Sequence, residues 1–188
     1  MAFTTTKPLT FEEYVAFDGT DEHYELVHGG LVLMNPPTGR HSAIIELIHD
    51  HFKAEITRKA HPWVSRRDIG VRVDIDGSRL PDLCVMTLEQ EQTILEVSAV
   101  LQSPPLLVVE VVSPGTATTD YRAKRSEYAV RGIPEYWIVD SVETKVSILI
   151  LSEGFYDLVE VRDNERIVSP TFVELALSAA QIFGTGRL

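Results

Sequence analysis

Apolar residues recur along the chain with two different periods, and the periods divide it into segments. Residues 41–60, HSAIIELIHDHFKAEITRKA, set Ile44, Ile45, Leu47, Ile48, Phe52 and Ile56 on one stripe, the spacing of a long amphipathic helix. LTFEEYVAF reads as a short helix capped by Thr10, with Glu13 three residues on to close a capping box. HYELVHGGLVLM predicts a hairpin that turns at Gly29-Gly30. WVSRRDIGVRVDI alternates in its second half and predicts a strand, and DLCVM, directly after Pro81, predicts a short apolar one. ILEVSAVL, within 88–104, fits strand and helix equally. LLVVEVV is apolar on both faces, the mark of a central strand. SPGTATT predicts a turn, and DYRAKRSEYAVR a helix that Thr118 or Thr119 can cap and Gly132 can stop. EYWIVD is the next strand, KVSILIL and FYDLVEV form a meander, and VELALSAAQIF predicts a closing helix.

The middle of the chain therefore runs helix, strand, strand, strand, helix, strand. A helix between LLVVEVV and EYWIVD predicts a right-handed parallel crossover, and the flanking meanders predict a mixed sheet. The expected class is α/β, in the mixed α+β sense, with an N-terminal hairpin and a C-terminal meander added to the core. A chain of 188 residues, 44% hydrophobic and 24% charged, suits one soluble domain over 1–188. The single cysteine, Cys84, rules out an internal disulfide and agrees with a cytoplasmic protein. MAFTTTKPLTFEEY has no apolar core of the kind a secretory signal carries, and no stretch is long and apolar enough to span a bilayer, so no membrane partner is expected.

The net charge of −11 generally repels nucleic acid, but it is unevenly spread. Residues 53–79 hold seven basic side chains against four acids, and residues 122–131 hold four against Glu127 alone. Between them, residues 80–121 carry six acids and no Lys or Arg. Two basic segments flanking an acidic one fit either a basic surface around a metal centre or two solvated faces.

One residue breaks the apolar pattern where breaking it is expensive. Glu110 sits inside LLVVEVV, and an ionised carboxylate buried there needs a partner. Asp82 opens the strand DLCVM; if the two strands are neighbours, Asp82 and Glu110 face one pocket, and a divalent cation relieves their repulsion. Mg²⁺ is commonly held by one or two carboxylates plus waters and phosphate oxygens. Lys124 lies four residues after Asp120 and four before Tyr128 on the following helix, so the three share a face. An ammonium there can orient an attacking water or stabilise charge developing on a phosphate. The bland readings are a turn residue for Asp82, a buried Glu110–Lys124 salt bridge, a helix-start acid for Asp120 and a core role for Tyr128.

YELVHGG, PDLCVM and VVEVVSPGTATTDYRAKRSEYAVRGIPEYWIVD, with the spacing between them, resemble the Uma-type family of restriction-endonuclease-like proteins within the PD-(D/E)xK nuclease superfamily. The resemblance spans roughly residues 8–183. It implies a restriction-endonuclease-like core and a Mg²⁺- or Mn²⁺-dependent endonuclease, acting on DNA rather than RNA, with a homodimer expected. Asp82 matches the Asp of the PD motif and Glu110 the acid of (D/E)xK, which makes these two the metal ligands. Val112 stands where that motif has Lys, and the Uma-type pattern supplies the lysine from the next helix, at Lys124. Glu25, in YELV, matches a further acidic position and is a further catalytic candidate.

Other chemistries find little support. His49 and His51 are two apart on a predicted helix and point to different faces. GGLVLMNPPTGR lacks the spacing and the lysine of a nucleotide-phosphate loop. Cys84 reads as an inert buried thiol, and His41 as a capping or surface residue that could face the cleft. Two alternatives remain beside the nuclease: a non-catalytic nucleic-acid-binding or assembly module, suggested by Val112 and the −11 charge, and a hydrolase of small phosphodiesters.

Overall fold

The computed structural model describes residues 2–3, 7–17, 22–113 and 115–185. Pro114, inside the predicted SPGTATT turn, lies outside the described residues. In chain order the elements are β1 (Ala2–Phe3), α1 (Phe11–Val15), β2 (Tyr24–Val27), β3 (Gly30–Leu33), α2 (Gly39–Lys59), β4 (Trp63–Arg66), β5 (Gly70–Asp74), β6 (Gly77–Arg79), β7 (Leu83–Thr87), α3 (Leu88–Gln92), β8 (Val100–Leu101), β9 (Leu107–Val112), a π-helical turn (Thr119–Lys124), α4 (Arg125–Arg131), β10 (Glu135–Asp140), β11 (Lys145–Ser152), β12 (Phe155–Arg162) and α5 (Ala179–Gly184). They form a mixed α+β fold with two mixed sheets.

The larger core is built on the sheet β12-β11-β10-β9-β7-β4, in which β9 and β10 are parallel and the remaining neighbours antiparallel. This bears out the parallel pairing expected of LLVVEVV and EYWIVD. Strand β9 is buried along its whole length, so each face needs its own cover. Leu107, Val109 and Val111 pack under α2 with Ile44, Ile48 and Phe52. Val108 and Val112 turn to the opposite side, where Tyr128 of α4 and Val71 and Val73 of β5 cover them. Glu110 belongs by alternation to that second face.

The other sheet, β1-β3-β2-β6-β5-β8, lies against α4 through β5 and brings β2 and β6 beside the C-terminal end of β9. WVSRRDIGVRVDI is thus not one strand. It breaks at Arg67–Ile69, with Asp68 left-handed at φ 58°, and its halves β4 and β5 enter different sheets. The helix–three strands–helix–strand order survives as α2, β4, β7, β9, α4, β10, with β5 and β6 as an excursion into the second sheet.

Several local expectations need correction. The β2–β3 hairpin turns at His28-Gly29, both left-handed (φ 49° and 74°), and Gly30 already belongs to β3. A Cβ on Gly29 would lie 2.5 Å from Pro8 Cβ, so the turn also needs glycine for space. Thr118 makes no side-chain cap bond; the helix instead opens with a π turn, organised by Thr116, whose Oγ1 accepts the Ser113 N–H at 3.1 Å. VELALSAAQIF is helical only over Ala179–Gly184, where Ser178 and Gln181 build a capping box. The Thr10–Glu13 capping box and the left-handed Gly132 stop both form as expected. Residues 88–104 resolve into α3 and the short strand β8. Among the described residues, no helix is long and apolar enough to cross a membrane.

Phe52 is fully buried, stacked on Phe172 at 4.7 Å and edge-on to Trp137 at 5.2 Å. Phe52→Ala is expected to cost about 3–5 kcal/mol of unfolding free energy, read as a lowered denaturant midpoint with an unchanged slope.

Candidate active site

At the C-terminal end of β9 the two sheets, the π turn and the first turn of α2 enclose a cleft of about 750 Å³. Four of its charged side chains come from the constellation expected from sequence: Asp82, Glu110, Lys124 and Glu25. Asp82 precedes β7 by one residue. The antiparallel register Leu83↔Val109, continued one step, sets it opposite Glu110. Its Oδ2 accepts the Val111 N–H at 2.7 Å, and its Oδ1 lies 3.0 Å from Nε2 of His41.

Glu110 is 4% exposed and answers its burial with two partners. Tyr128 donates its hydroxyl to Oε1 at 2.7 Å, and Lys124 Nζ approaches Oε2 to 2.8 Å. Burial pushes the Glu110 carboxyl up to about 8; Lys124 opposes this, and the charges of Asp82, Asp120 and Glu25 add to it. Burial also works against the Lys124 ammonium, but Glu110, Glu25 and Asp120 outweigh it and hold the amine above its usual range. Lys124 therefore stays charged beside Glu110. Tyr128, buried against Glu110, is raised well above a normal phenol and remains a donor.

The π turn places the ammonium. Its wider winding carries Asp120 and Lys124 inward together, 3.3 Å apart and both buried. Asp120, expected as a helix-start residue, is thus part of the lysine's surroundings, and burial raises its carboxyl. Glu25 completes them from β2, with Oε1 at 3.5 Å from Nζ. The same Oε1 accepts the Leu80 N–H at 3.1 Å, while Oε2 accepts from Arg79 Nη1 at 2.8 Å. Arg79, on β6, also grips Glu127 through Nε at 2.6 Å and Nη2 at 2.7 Å.

The pattern of the Uma2 family, described as a putative restriction endonuclease, matches residues 11–180. The chain belongs to the Uma2 family. Its fold is shared with the crystal structure of a putative nuclease belonging to DUF820 from Anabaena variabilis, with a TM-score of 0.78. That match covers 94% of this chain and 98% of the other, at 20% identity. No curated protein matches the sequence. The restriction-endonuclease-like core expected from the motifs is thereby confirmed.

Three residues of this Uma2 protein's cleft were not singled out as site residues by sequence. Arg79 and Glu127 looked like members of basic and helical surface runs; the packing of the second sheet against α4 brings them together. His41, read as a capping or surface residue, does have its N–H on the Thr38 cap at 3.2 Å, but its ring faces Asp82. The other basic residues of 53–79 behave largely as solvated faces, with Arg58, Lys59, Arg66 and Arg67 paired to surface glutamates. Cys84 is buried, and burial raises its thiol.

Among the described residues no three His, Cys, Asp or Glu side chains form a closed ligand set. The pair Asp82 and Glu110 nevertheless suits a hard divalent cation, which needs only one or two carboxylates when water and phosphate supply the rest. The fit rests on the register that sets Asp82 opposite Glu110, where a cation between them would relieve the repulsion of two like charges.

Arg79→Met is expected to destabilise the protein by about 3–5 kcal/mol, because Glu25 stays buried without its strongest partner. Chemical denaturation checks the loss, and the double variant with Glu25→Gln should recover part of it.

Proposed function

We propose that the protein is a Mg²⁺- or Mn²⁺-dependent endonuclease that hydrolyses phosphodiester bonds in DNA. The observation that carries this is the convergence of Asp82, Glu110 and Lys124, from two adjacent strands and the next helix, at one end of a cleft. Asp82 and Glu110 are the residues that would hold the cation, whose chemistry is to polarise a phosphodiester and acidify the attacking water. Lys124, kept charged by Glu110, Asp120 and Glu25, presents a fixed ammonium for the developing negative charge on phosphorus-bound oxygen. Val112 at the usual lysine position is no obstacle, since its side chain is spent in the core under Tyr128. Glu25 does its work by holding Lys124 and Arg79.

Nucleases that cut both strands of a duplex often pair two such clefts, so we expect a homodimer. We take the 188 residues as one domain in the cytoplasm. The acidic net charge keeps a second reading alive, a nucleic-acid-binding module without turnover. The convergence of two carboxylates and an ammonium favours the enzyme, because that set can hold a cation and meet charge developing on a phosphate.

Three outcomes test the proposal. Purified protein should nick plasmid DNA in Mg²⁺ or Mn²⁺ and not in EDTA, and Asp82→Ala and Glu110→Ala should abolish nicking; salt-dependent DNA binding that persists in both variants without any cleavage would support the module instead. Lys124→Met should lower kcat by about 100-fold or more, with a smaller change in KM. The third is a pH effect on calorimetric Mg²⁺ affinity. A cation must displace the proton that Glu110 holds up to about pH 8, so affinity should climb as pH rises toward that value and level off above it. A flat profile between pH 6 and about 8 would remove Glu110 from the ligand set.

A further inference from the structure

Asp82 has both oxygens engaged by the protein itself. Oδ2 takes the Val111 N–H at 2.7 Å, and Oδ1 takes His41 at 3.0 Å. A carboxylate only accepts, so Nε2 of His41 carries the proton in this contact. The ring is not a loose surface group. His41 is the third residue of α2, its backbone is tied to the Thr38 cap, and its side chain is 14% exposed. The terminal torsion of an aspartate is otherwise broad, so a carboxylate held at one oxygen alone rocks about its Cβ–Cγ bond. Held at both, it has one rotation, and that rotation lies beside Glu110.

We propose that His41 is a positioning residue for Asp82 rather than a ligand of the cation. The proposal rests on the Mg²⁺ reading of Asp82 and Glu110. One observation separates positioning from ligation: the ring nitrogen nearest Asp82, Nε2, is already donating to it. His41 thus couples the first turn of α2 to the entry of β7, and a shift of α2 would reach the site through this bond.

The test is Mg²⁺ titration calorimetry on the full chain as wild type, His41→Ala, His41→Phe and His41→Gln, with visible absorption of the Co²⁺-loaded proteins. His41→Ala should weaken Mg²⁺ binding about 10- to 100-fold. His41→Phe keeps the ring's bulk without the donor and should show the same loss, which guards against a folding defect in the alanine variant. His41→Gln, whose amide N–H can meet the same oxygen, should recover most of the affinity. Co²⁺ spectra at saturation should coincide in all four proteins. Unchanged Mg²⁺ affinity in folded His41→Ala or His41→Phe overturns the proposal, and so does a wild-type Co²⁺ band that these variants alter, since the ring would then be a ligand. Both results leave the roles of Asp82 and Glu110 standing. Failure of the wild type to bind Mg²⁺, with and without a non-cleavable DNA, overturns this proposal and the reading beneath it together.

Discussion

Everything at the site follows from one costly contact, the burial of Glu110 against Lys124. Burial opposes both charges: it raises the Glu110 carboxyl and works against the Lys124 ammonium, which the surrounding acids restore. A buried ion pair contributes little net stability, because desolvating both charges offsets most of their attraction. The protein spends further interactions on keeping this pair, among them the Tyr128 hydroxyl, the Asp120 and Glu25 carboxylates and, behind Glu25, Arg79. Such an investment makes sense for a site that must hold charge ready in a dry setting, where each charge acts more strongly than in water.

The architecture serves that contact. A strand buried on both faces requires cover from two sides, and on the Glu110 side α4 and β5 supply it. The second sheet matters because it delivers Glu25 and Arg79 from β2 and β6, neighbours in the sheet but far apart in the chain. The cleft is thus a junction: one sheet supplies the paired acids, the other the groups that steady the lysine, and α2 closes one wall.

What was legible in the sequence was whatever breaks a local rule. Glu110 in an apolar strand, Lys124 and Asp120 at helical spacing and the strand–helix–strand unit all announced themselves, and Asp82 and Glu110 became neighbours once β7 and β9 did. Arg79, Glu127 and His41 broke nothing. An arginine in GSRLPD, a glutamate on an exposed-looking helix and a histidine beside a cap each have an ordinary explanation, and their roles arise from pairings between segments distant in the chain. The split of WVSRRDIGVRVDI was hidden for a similar reason: its alternation continues through β5, and only the left-handed Asp68 and the partner strands decide that the halves part. The short α5 shows the opposite error, since VELALSAAQIF has helical composition but its first half is held by neighbours as turns.

The π turn at Thr119–Lys124 has a consequence for how this stretch can change in length. A π turn differs from an α turn by one extra residue accommodated without breaking the helix. Removing one residue between Asp120 and Lys124 would close the wider winding to an α turn and shorten the spacing of those two side chains from four residues to three. Asp120 would then face away from its present contact with the lysine, although every side chain of the site was still present. The β11–β12 hairpin, by contrast, can lengthen without touching the cleft. Over this stretch the spacing of the residues carries the design as much as their identities do, and an insertion or deletion there is a more severe change than most substitutions.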